Sequence, residues 1–116
     1  MTDTDHKRML EMAAKAAGIR VCWHGSESCA RNMDLTDQPR IYWNPLTDDG
    51  DALRLSVALL MELDHNHPAD PRPWVSVGIP GTRHCVVEDF DDECQRLAAT
   101  RTAITRVAAA IGEQMP

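Results

Sequence analysis

The run Trp43-Asn44-Pro45-Leu46-Thr47-Asp48-Asp49-Gly50-Asp51-Ala52-Leu53-Arg54-Leu55 holds a strand end, a proline break and the opening of a helix. Pro45 stops the extended stretch before it, and Thr47 or Asp48 can cap the first orphan amides of the helix. Asp49 and Asp51 then fall in or near the first turn, where the helix dipole favours negative charge by about 0.3–1 kcal/mol each. Across 52–63 only Arg54, Ser56 and Glu62 are polar. This pattern predicts a helix over 48–63, apolar nearly all round and the most deeply buried in the protein.

Upstream, residues 4–17 read as a helix with a narrow stripe of Met9, Leu10, Ala13, Ala14, Ala16 and Ala17, closed by Gly18. Residues 19–24 alternate as a short strand, with Ile19, Val21 and Trp23 on one side and Arg20, Cys22 and His24 on the other. Residues 25–39 show no period and read as a long loop, and 40–44 as a second strand leading into the central helix. Downstream, 64–73 holds three prolines around His65-Asn66-His67-Pro68 and reads as a loop. Residues 73–79 alternate as a strand, Pro80-Gly81 fits a type II turn, and 83–88 returns as the second arm of a hairpin. Phe90 and a cap at Asp91 or Asp92 precede a final helix over 92–114, with Leu97, Ile104, Val107, Ala108 and Ile111 at helical spacing. The expected order is α-β-β-α-β-β-α in one domain over 1–116. The expected class is α+β, a three-layer α-β-α sandwich around a mainly antiparallel four-stranded sheet.

The net charge of −6 argues against broad nucleic-acid binding, which needs a basic stripe. Four cysteines in a chain of this length lack the density of a disulfide scaffold, so a reduced compartment is expected. The charged opening, residues 1–8, has no apolar centre of the kind a secretory signal needs. The longest apolar run, 57–61, is too short to span a bilayer.

The run 43–55 is similar to a signature of the phage ABA sandwich domain family, small proteins of bacteriophages and prophages. The ending 97–111, alanine-rich with Arg101 and Arg106, looks like that family's closing helix, and Ala13-Ala14-Lys15-Ala16-Ala17-Gly18-Ile19 fits its opening. The resemblance covers about half of the chain. It implies an α-β-α layered fold and a setting in the cytoplasm of a bacterial host. It carries no activity that transfers residue by residue, and the loops 25–39 and 64–73 have no counterpart in it.

The cluster Asp48-Asp49-Gly50-Asp51 lacks the alternating ligands and closing glutamate of a calcium loop, so helix capping by Thr47, Asp48, Asp49 and Asp51 is preferred to metal binding. Cys22, His24 and Cys29 are the runner-up zinc set, although their spacing is not that of a knuckle. His65 and His67 lack a third, orienting group and read as a solvated loop. Arg101 and Arg106 read as a solvated helix face. Three of the five aromatic residues are tryptophan. Burying an indole usually demands a partner for its N–H, so Trp23, Trp43 and Trp74 are candidates for a half-exposed binding patch together with His24, Asn44 and Arg54. No nucleophile elbow or phosphate loop is present. The expected function is that of a phage- or prophage-encoded accessory protein, non-enzymatic and without a cofactor. It would bind a host protein or a small host metabolite or nucleotide signal, counter-defence being one such role. A homo-oligomer is expected. The alternatives are a small metal-dependent, hydrolase-like enzyme using the His and Cys residues, and a minor structural component of the virion.

Overall fold

The computed structural model describes residues 3–24, 27–31 and 41–116. Its first helix, α1 (Asp3–Ala17), ends where Gly18 adopts φ +73°. There the Ile19 amide donates to the Ala14 carbonyl at 2.8 Å and the Gly18 amide to Lys15 at 3.2 Å, the paired closing bonds that a left-handed residue allows. The chain turns back at once into β1 (Arg20–His24), which pairs antiparallel with β2 (Glu27–Arg31). The two-residue β3 (Ile41–Tyr42) completes this first sheet in the order β1-β2-β3. Residues 27–31 are thus a strand inside the expected loop 25–39; the rest of that loop lies outside the described residues.

Helix α2 (Asp49–Ala58) is shorter than the expected 48–63. It stops through the same device that closes α1, without a glycine. Leu60 takes φ 55°, the Met61 amide donates to Ser56 at 2.9 Å, and the Leu60 amide donates to Val57 at 3.2 Å. Neither glycine nor proline marks this stop, which is why hydrophobic continuity carries the expected helix past Ala58. Released from the helix, 62–65 form β4 (Glu62–His65), alongside β5 (Trp74–Gly78) and β6 (Cys85–Asp89) in an antiparallel sheet of order β4-β5-β6. The β5–β6 turn runs Ile79-Pro80-Gly81-Thr82, with Gly81 at φ +78° and the Thr82 amide on the Ile79 carbonyl at 3.1 Å, a type II turn. A short 3₁₀ turn (Glu93–Gln95), capped by Asp92, leads into α3 (Arg96–Gln114).

The molecule is a mixed α+β structure, and among the described residues its strands form two three-stranded sheets in place of one sheet of four. Helix α2 separates the two sets of strands, and among the described residues each set pairs only within itself. The most buried helix is α3, not α2. Helix α3 packs on α1, α2, β5 and β6 and buries Ala103, Ile104, Val107, Ala108 and Ala109. Val75 and Val77 of β5 are fully buried in the same core, with Leu10, Ala13 and Ala14 of α1. Helix α2 turns only Asp51, Ala52, Leu55 and Ser56 inward. Its outer side leaves Leu53 61% and Val57 64% exposed, because α3 covers it from one side. Where α1 and α3 cross, a Cβ built on Gly112 would stand 1.9 Å from the Met12 carbonyl oxygen, so the two backbones meet without a side chain between them.

Candidate functional site

The run 43–55 spends most of its polar groups on its own backbone. Asn44 Oδ1 accepts from the Leu46 amide at 2.9 Å, and the Asn44 carbonyl accepts from the amides of Thr47 at 3.2 Å and Asp48 at 2.9 Å. Asp48 is the N-cap of α2, its carboxylate accepting from the Asp51 amide at 2.8 Å. The neighbouring residues grouped with it as caps do other work. Thr47 turns its hydroxyl to the Asn44 carbonyl, and Asp49 pairs with Arg101 at 2.6 Å. Asp51 is buried, accepting from the Asn44 amide at 2.9 Å and from Arg54 at 2.7 Å. The same carboxylate therefore ties the strand end to the helix and holds the arginine.

This turn forms one wall of a cleft of about 310 Å³ lined by His6, Lys7, Leu10, Trp23, Asn44, Leu46, Thr47 and Thr102. Helix α1 supplies the first three, β1 the indole, the turn the next three, and α3 the last. The half-buried Trp23 donates its Nε1–H to Glu11 at 3.1 Å, and the Lys7 ammonium lies 5.1 Å from the centre of its ring. Two of the six expected binding residues, Trp23 and Asn44, thus meet in one place. Trp43 does not join them, since its side chain is 5% exposed within the core. Trp74 is half-buried on β5, and Arg54 is an exposed residue of α2 held by Asp51; neither lines this cleft. The side chains of His24 and Cys29 lie outside the described residues, although the backbone register sets Cys22 opposite Cys29. Among the described residues no three His, Cys, Asp or Glu side chains gather in a metal-holding group.

The chain's geometry explains residues that sequence reasoning passed over. From Gly18 back to Lys7 is eleven helical residues, about 16 Å, and from Gly18 on to Trp23 is five extended residues, again about 16 Å. A helix and a strand joined by so tight a reversal must bring Lys7, Leu10 and Glu11, which share one face, beside Trp23. That signal was available; Leu46 and Thr102 arrive through tertiary packing and had none.

The arginines of α3 are anchors, not a solvated face. Arg101 donates to the Leu46 carbonyl at 3.0 Å and to Asp49, joining α3 to the turn beneath the cleft. Arg106 pairs with Glu88 of β6. Arg96 gathers His65 Nδ1 at 2.9 Å, Asn66 Oδ1 at 2.7 Å and both carboxylate oxygens of Glu93 at 2.8 Å, above the ring of Phe90. Because a guanidinium only donates, His65 Nδ1 accepts. His67 Nδ1 in turn accepts from the Ala69 amide at 3.0 Å. His65 thus ends β4, inside the expected loop 64–73, and with His67 in the turn beyond it both imidazoles are engaged in holding this segment's shape.

No protein family, curated protein or solved structure searched against the chain gives a match.

Proposed function

We propose that the protein is a non-catalytic binding protein whose cleft between α1, β1 and the 43–47 turn holds a small, planar ligand against Trp23. One observation carries this reading: residues distant in sequence, Trp23, Asn44 and Thr102 among them, line a single concavity of about 310 Å³. That size and mixture of apolar and polar walls suit a small-molecule site, for which roughly 300 Å³ is the lower bound. Among the described residues the lining contains neither a cysteine nor a carboxylate, which disfavours thiol chemistry and carboxylate catalysis; its titratable groups are His6 and Lys7.

The resemblance of 43–55 and 97–111 to the phage ABA sandwich family supports a phage or prophage accessory role in the host cytoplasm, with a host metabolite or nucleotide signal as ligand. The three-layer description belongs to that same reading. Self-association of the protein is supported by Leu53 and Val57, exposed one turn apart on α2, and by Leu60, exposed just beyond its end.

Thermal melting across a panel of nucleotides and aromatic metabolites tests the proposal. A ligand of the cleft raises the melting temperature of the native chain and not that of Trp23→Ala. If no small molecule does so and a host protein is captured instead, the cleft reading falls. Sedimentation velocity checks the self-association, and a strict monomer at high concentration removes it.

A further inference from the structure

We infer that the ligand of this cleft is a single aromatic ring system bearing one anionic group, a carboxylate or a phosphate; the inference rests on the small-ligand reading above. The chain carries a net charge of −6, yet the charged and ionisable side chains lining the cleft are Lys7 and His6. The Glu11 carboxylate is held on the indole Nε1–H of Trp23 and does not line the cleft. Among the described residues Lys7 makes no ion pair. Its ammonium rests on the Trp23 ring, a weak contact at an exposed site. A stacking ligand replaces that contact with ring-on-ring contact, and its anionic substituent then gives the displaced ammonium a stronger, charge-assisted partner.

The polar walls fit a ring with heteroatoms. The bond from the Leu46 amide fixes Asn44 Oδ1, leaving Nδ2 as a donor with no protein acceptor among the described residues. Thr100 and Thr105 give their hydroxyls to the carbonyls of Arg96 and Arg101 at 2.8 Å each. Thr102, the α3 residue that lines the cleft, has no such bond among the described residues. A volume of about 310 Å³ matches one ring system with one substituent.

The experiment follows the Trp23 indole N–H resonance, identified by its loss in Trp23→Phe, during titration with matched pairs: indole-3-carboxylate against indole, and adenosine 5′-monophosphate against adenosine. The anionic member of at least one pair moves the resonance and binds about ten-fold more tightly than its neutral partner, a difference erased in Lys7→Met, which keeps the alkyl cover on the ring. The pair that responds distinguishes carboxylate from phosphate. Equal binding of neutral and anionic members overturns the inference while leaving the small-ligand reading intact. Unchanged discrimination in a folded Lys7→Met also overturns it. A Trp23 resonance unmoved by every probe at millimolar concentration removes both.

Discussion

At the scale of single residues, Asp51 shows how an acid in a helix's first turn can be structural without being a cap. Its carboxylate is buried and accepts from the Asn44 amide and from Arg54. Asp51→Ala leaves a part-buried amide without its acceptor and should cost about 1–3 kcal/mol in urea denaturation. Arg54 is 73% exposed at its side chain, so Arg54→Ala should cost less than about 1 kcal/mol by the same measurement. Leu60 offers a change of opposite sign. It sits at φ 55° and is largely solvent-exposed, so Leu60→Gly relieves a left-handed strain of roughly 1–2 kcal/mol with little burial to lose. After the added freedom of the unfolded glycine, a net stabilisation of up to about 1 kcal/mol is expected. The cap at Asp48 was legible from its place before an apolar run. The partners of Asp51 were not, because the donors an acid meets depend on where the preceding strand ends in space.

At the scale of elements, the contact between α1 and α3 reverses a helix-propensity rule. Gly112→Ala would raise propensity by about 1 kcal/mol in an isolated helix. Here the added methyl meets the Met12 backbone, so the helices must separate, and a destabilisation of about 1–3 kcal/mol is expected by thermal or urea melting. The junction of β4, β5 and α3 has its own dependence on acid. Hydrogen bonds from Arg96, opposed by partial burial, hold the Glu93 carboxyl below its ordinary range. A carboxyl lowered on folding stabilises the native state fully above about pH 4.3, and that contribution is lost as pH falls through the lower folded value. The melting-temperature gap between the native chain and Arg96→Met should therefore narrow as pH drops below that range. It should not close, since Arg96 also holds Asn66 and the Trp74 carbonyl. The elements that sequence pattern captured are those with clear punctuation: α1 with Gly18, the Pro80-Gly81 hairpin, and α3 behind Asp92. Of those it lost, β4 and the end of α2 lack a glycine or proline at the decisive boundary, and β2, although it follows Gly25, reads Glu27-Ser28-Cys29-Ala30-Arg31 and displays no alternating apolar face.

At the scale of the whole molecule, α3 joins parts that do not touch through strand pairing. Val107 is fully buried on that helix, which packs on α1, α2, β5 and β6. Val107→Ala should cost about 1–3 kcal/mol and lower amide-exchange protection in α1 and in β5 by equal amounts. Unequal losses would mean that the halves open separately. One shared core was foreseeable from the spacing of Ile104, Val107, Ala108 and Ile111. Its division between two sheets was not, because pairing of distant strands leaves no mark in local alternation.

The position of α3 after every other element has a consequence for the nascent chain. Leu10 leaves the ribosome almost a hundred residues before Val107, a lag of roughly 5–20 s at ordinary translation speed. Throughout that interval the inner face of α1 has no lid, and β5, made about thirty residues before Val107, lacks one for roughly the last 2–6 s of it. Helper proteins that shield greasy segments should thus engage this polypeptide during its synthesis, and let go only once the last helix has docked.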